Sequence, residues 1–154
     1  MSHIALLAPV PIEHLNDAVS VCATVGRVAF GSRAWEVFRE LDENRNGLAV
    51  PAYIYASDEP GSAFPAASWI GRYVRHVEGK NGRHPEGMKY RPPSTAKYPT
   101  DNKGHWAVFW ELDQIRRLKS EENIPMSAFA GYKTGKPYKK HFIPEGPLVV
   151  SSEA

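Results

Sequence analysis

The hydrophobic pattern of this chain switches between two periods. Residues 4–8 form a short, unbroken apolar run suited to a buried strand. Pro11 then fits the first turn of a helix, where its missing N–H costs nothing. Ile12, Leu15, Val19 and Cys22 follow at helical spacing, and Gly26 marks the stop. Residues 48–57 are rich in β-formers. Residues 68–77 predict another strand, with Trp69, Gly71, Tyr73, Arg75 and Val77 on one face and Ile70, Arg72, Val74 and His76 on the other. The cleanest alternation spans residues 106–112, where Trp106, Val108, Trp110 and Leu112 oppose Ala107, Phe109 and Glu111. Asp113 then predicts the cap of a short helix ending near Lys119.

Strands interleaved with short helices, without a regular βαβ rhythm, predict an α+β domain built on a mostly antiparallel sheet or barrel. No repeat or linker divides residues 1–154, so the expectation is one domain. Residues 78–104 hold His84-Pro85-Glu86-Gly87, Pro92-Pro93 and Pro99 but no period, which predicts a long basic excursion. With 42% hydrophobic residues the chain is too apolar to be disordered. No apolar run approaches the ~18–20 residues of a membrane span, and residues 4–10 lack the basic flank of a signal peptide. The single cysteine, Cys22, forms neither an internal disulfide nor a cysteine-based zinc cluster. The expected compartment is the cytoplasm.

A net charge of +2 hides an asymmetry. Residues 1–60 carry four arginines against eight acids, whereas residues 61–103 carry eight Lys/Arg against Glu78, Glu86 and Asp101. A basic middle interleaved with aromatics is the footprint of a polyanion partner or of a solvated basic loop.

Several motifs fail on their chemistry. Asp42-Glu43-Asn44-Arg45-Asn46-Gly47 begins like a calcium loop, but Tyr53 stands where the bidentate Glu is needed, so a polar turn is expected. Residues 131–137 resemble a phosphate loop with one residue too few, and Pro137 replaces the magnesium-binding hydroxyl. The six histidines form no H-x-x-x-H or H-x-H pair, so neither metal nor cofactor is expected.

Residues 31–39, Gly31-Ser32-Arg33-Ala34-Trp35-Glu36-Val37-Phe38-Arg39, resemble the G-x-K-x-x-E-x-R signature of ASCH domains, members of the PUA-like superfamily. Gly31 and Glu36 are in register, Arg33 replaces the lysine, and Arg39 arrives one residue late. Ile54-Tyr55-Ala56-Ser57 is similar to the strand that follows in that family, and the order of later elements also fits over roughly residues 4–130. The resemblance implies a PUA-like, mostly antiparallel β-barrel with short flanking helices that binds nucleic acid, RNA or a modified or flipped base. The same stretch carries a second pattern. Ala34, Trp35, Phe38 and Leu41 sit at helical spacing, with Glu36, Arg39, Glu40 and Glu43 on the outside.

Some ASCH-like proteins are amidohydrolases or nucleases, so the resemblance also implies a candidate catalytic pair, Glu36 and Arg33. Arginine stays protonated at physiological pH, leaving Glu36 as the only base and Arg33 as an anion stabiliser. That substitution favours a binding module over a hydrolase. The candidate nucleic-acid contacts are Arg33, Arg39, Arg72, Arg75, Lys136, Lys139 and Lys140 for phosphates, and Trp69 and Tyr73 for stacking, beside Trp35 and Trp110. An acidic protein partner is a third reading of the same basic patch.

Overall fold

The apolar run at residues 4–8 becomes the inner strand of a seven-stranded sheet. The computed structural model describes residues 3–59, 64–98 and 105–152. Its strands are β1 (His3–Val10), β2 (Val28–Ser32), β3 (Val50–Ala56), β4 (Ala66–Ala67), β5 (Trp69–Glu78), β6 (Val108–Arg117), β7 (Ile124–Pro125), β8 (Phe129–Gly131) and β9 (Leu148–Ser152). Two helices, α1 (Ile12–Val25) and α2 (Trp35–Asn44), complete an α+β architecture. The sheet order is β2-β6-β5-β3-β1-β9-β8, and β4 pairs separately with β7. Only β1 and β3 run parallel within the sheet. Among the described residues the ladder does not close, and β2 and β8 are its edges.

Both faces of β1 and β3 are covered, which is why the first strand reads as a continuous apolar run. Leu6, Ala8, Ala52 and Ile54 face the main core under the helices, while Ala5, Leu7 and Tyr53 pack with Met126, Phe129 and Val150 on the other side. Trp110 anchors the main core, its ring 4.9 Å from Phe30 and stacked 5.9 Å from Phe38.

Helix α1 begins just after Pro11 and ends where Gly26 turns left-handed, with φ of 90° and its amide donating to the Cys22 carbonyl. Its buried residues are Leu15 and Ala18, whereas Val19, expected on the apolar face, is exposed. Residues 35–44 follow the helical pattern, burying Phe38 and Leu41 and leaving Glu36 on the surface.

Two sequence expectations fail at irregularities that period counting cannot see. The β5–β6 register shifts between Ile70 and Arg72 and again between Tyr73 and Arg75. Tyr73 therefore points to the core while Arg75 does not share its face, and His76 turns inward towards Asp42. The short helix expected from Asp113 is absent, because β6 continues to Arg117 through Gln114 at φ 53°. Asp113 instead receives both Nε and Nη2 of Arg72 at 2.8 Å.

Part of the predicted excursion is ordered against the sheet. The Ala29 amide donates to the Tyr90 carbonyl, Arg91 donates to the Ala29 carbonyl, and Tyr90 packs with Ala29 and Phe109. Residues 99–104, with Lys103, lie outside the described residues. Among those described, no helix is long and apolar enough to cross a membrane.

Candidate functional site

The C-terminal ends of β1 and β2, four steps apart in strand order, line one cleft. The cleft holds ≈ 600 Å³, within the range of small-molecule sites. Pro9, Val10 and His14 form one side, and Phe30, Gly31, Ser32 and Arg33 form another. Arg91, Thr95 and Tyr98 close it from the excursion, and Glu145, Gly146 and Pro147 form the remaining rim. Trp106 and Trp110 contribute aromatic surface.

Gly31 sets the position of one aromatic wall. A β-carbon there would fall 2.5 Å from Cγ of Trp106, so the indole lies directly against the glycine backbone. Polar groups in the cleft are held by local bonds. Ser32 Oγ accepts the Ala34 amide at 3.0 Å, fixing the backbone that carries Arg33. Asp58 Oδ1 accepts the Ile12 amide at 2.7 Å, and His14 Nδ1 pairs with Ser94 Oγ at 2.8 Å. Burial lowers the pKa of His14, which favours its neutral form in the cleft. Burial also pushes Arg91 down to about 10.

Arg33 is exposed at this cleft and, among the described residues, has no carboxylate partner. Seven of the other nine arginines stand on carboxylates. Arg39 pairs with Glu43, Arg45 with Asp42, Arg72 with Asp113, Arg75 and Arg27 with Glu111, Arg116 with Glu122, and Arg117 with Glu59. A cation already seated on a carboxylate must give up that pair to take a phosphate, whereas Arg33 need not.

The remaining predicted site residues are dispersed. Trp69 and Tyr73, expected as stacking platforms, are core residues at 3% and 0% exposure. The Tyr73 hydroxyl donates to Asp42 at 2.9 Å, and burial raises its pKa. Trp69 Nε1 is buried with no hydrogen-bond partner among the described residues. The side chain of Arg39 lies over the exposed Trp35 ring, and both line a smaller groove with His76 and Glu78. Glu36 is exposed on α2 and does not line the cleft. Lys136, Lys139 and Lys140 are exposed on the segment between β8 and β9, outside the cleft lining. Of the residues singled out in the sequence, Arg33 and Trp110 line the cleft, together with His14, Asp58, Arg91, Tyr98 and Trp106, which were not singled out. Of the latter, only Trp106 carried a signal, as the first residue of the strongest alternating segment.

A second polar centre lies on the outer face of the sheet. Glu111 is fully buried, and Oε1 receives Nε of Arg27 at 2.8 Å and of Arg75 at 2.7 Å. His84 Nδ1 accepts the Glu86 amide, so its Nε2–H is the group that donates to Glu111 Oε2 at 2.8 Å. Burial pushes the Glu111 pKa up, but the bonds from His84 and Arg75 and the positive charges outweigh it and leave the carboxyl below its ordinary value. This centre ties the excursion, and with it one wall of the cleft, to β5 and β6.

No protein-family model and no curated protein matches the chain. Among solved structures, protein PSPTO5229 from Pseudomonas syringae is similar at 15% identity over 75% of this chain and 70% of that one, with a TM-score of 0.41.

Proposed function

We propose that this chain is a nucleic-acid-binding domain of PUA-like, ASCH-related type, whose cleft takes one unstacked base while Arg33 holds the adjoining phosphate. The mostly antiparallel sheet with two helices is compatible with that architecture, although its ladder does not close among the described residues. Trp106, the half-buried indole of the cleft wall, offers a face to a planar ring, with the edges of the core residues Phe30 and Trp110 behind it, and stacking a base on an aromatic side chain is worth ~1–3 kcal/mol. That is the scale needed to offset the few kcal/mol of unstacking when a base leaves its neighbours. Binding requires no metal and no cofactor.

The observation that carries this reading is Arg33, a cation without a carboxylate beside an aromatic cleft. A hydrolase reading built on Glu36 draws no support from the geometry, since that carboxylate stands outside the cleft. The test is fluorescence polarisation with short single-stranded RNA and DNA across a salt series. Arg33→Ala is expected to weaken binding about tenfold, the loss of one charge-assisted contact. Its log-affinity slope against log salt should fall by about 0.7, one single-strand phosphate. Unchanged affinity in that variant, or binding indifferent to salt, would overturn the assignment.

A further inference from the structure

The cleft's rim runs directly into a cationic segment. Residues 132–147 join the end of β8 to the start of β9 and carry Lys133, Lys136, Lys139 and Lys140 against one acid, Glu145. The segment is firmly held. Gly131 donates to the Lys136 carbonyl at 3.1 Å, Tyr138 to Phe129 at 2.9 Å and Phe142 to Lys139 at 3.0 Å. Tyr138 and Phe142 stack 4.4 Å apart and pack on the second apolar cluster. Lys136, Lys139 and Lys140 have no ion pair among the described residues, and Lys140 Nζ lies 4.9 Å from the Phe64 ring, against which His141 sits edge-on. Glu145, Gly146 and Pro147, at the end of the segment, are cleft residues. Glu145 lies five positions after Lys140, a span of at most ~17 Å.

We infer that the ligand is a polymer, a single-stranded nucleic acid whose base enters the cleft and whose backbone continues over Lys139, Lys140 and Lys136. This rests on the reading of the cleft given above. Charge decides the direction the strand takes. On α2 the acids are mostly paired, Glu40 with Lys133, Asp42 with Arg45 and Glu43 with Arg39, and that helix offers a phosphate no free cation beyond Arg33 among the described residues. The lysine ridge attracts phosphates, and the Phe64–His141 pair beside Lys140 adds aromatic surface for a neighbouring base.

The experiment compares nucleoside 5′-monophosphates with mixed-sequence RNA and DNA octanucleotides, on the wild type, on Arg33→Ala, and on a Lys136→Gln/Lys139→Gln/Lys140→Gln variant. Affinity is expected to rise at least about tenfold from monomer to octamer. The lysine variant should remove most of that gain and lower the salt slope by about 2, three single-strand phosphates at ~0.7 each, with monophosphate binding unchanged. Relative affinities of the two octamers identify the strand as RNA or DNA. Equal binding of monomer and octamer, or an unaffected lysine variant, overturns the ridge and leaves the cleft reading standing. Octamer binding that ignores Arg33 overturns the continuous path and the cleft reading with it. Polyglutamate or phosphatidylserine vesicles bound as tightly as the octamer overturn the choice of a nucleic acid, and no binding of any nucleotide overturns both readings.

Discussion

Glu111→Ala is expected to destabilise the fold by about 2–3 kcal/mol, because the buried His84 donor is left unsatisfied and two partly exposed arginines lose an acceptor. Against a domain stability of roughly 5–15 kcal/mol this is a large fraction, and Tm should fall by roughly 10 °C. Arg27, Arg75 and the buried His84 all converge on this carboxylate, so all three lose their acceptor at once. The same centre predicts acid sensitivity. A carboxyl whose folded pKa lies below its unfolded value stabilises the fold fully above the unfolded value, about 4.3. That contribution is lost as pH falls through the lower folded value. Chemical denaturation from pH 7 to pH 3 should therefore show a steeper loss in the wild type than in Glu111→Gln. Parallel curves, or a Glu111→Ala protein as stable as the wild type, would mean that the cluster contributes nothing.

The second large effect is expected from a single methyl group. In Gly31→Ala the new β-carbon meets Cγ, Cδ1 and Cδ2 of Trp106 at 2.5, 2.6 and 2.7 Å. These atoms are the root of the indole and the start of its ring, so the whole ring must move off β2. Overpacking of this kind costs about 1–3 kcal/mol. The displaced indole also alters the aromatic wall of the cleft, and oligonucleotide affinity should fall by about tenfold or more. Gly146→Ala is the matching control: Gly146 also lines the cleft, but nothing lies within 4 Å of its added β-carbon. Thermal melts and binding curves for the two variants separate a local clash from a general intolerance of substitution at the rim. Equal behaviour of the two would remove Trp106 from the account.

Much of the fold could be read from the order of residues. The run at residues 4–8, the Gly26 stop and the alternation at Val108, Trp110 and Leu112 report local periods, and each matches an element. What escaped was set by irregularities of one residue. The register shift after Tyr73 and the positive φ of Gln114 change which face a side chain takes, and neither leaves a sequence signal as clear as glycine. The resemblance in residues 31–39 and the helical spacing there describe neighbouring parts of one element pair. Gly31 and Ser32 end β2, and residues 35–44 form α2.

The site was less legible than the fold. The alternating pattern placed Glu111 opposite Trp110, the face a solvated residue takes, yet the excursion covers it. Its three partners come from positions 27, 75 and 84, which only the folded chain brings together. For the same reason Arg72 and Arg75 read as phosphate contacts in the sequence, although each is already seated on a carboxylate. Counting arginines overstated the binding surface. Of the four arginines expected as phosphate contacts, Arg33 alone has no carboxylate partner among the described residues.

The cleft assignment is tested most directly by the four tryptophan indole N–H resonances, followed by ¹H–¹⁵N NMR during titration with a short single-stranded oligonucleotide. Trp106 and Trp110 line the cleft, Trp69 is buried away from it, and Trp35 stands exposed beside Arg39. A base stacked in the cleft shifts the Trp106 and Trp110 signals and leaves Trp69 in place. Shifts confined to Trp35 or Trp69, with Trp106 and Trp110 unmoved at saturation, would contradict the account.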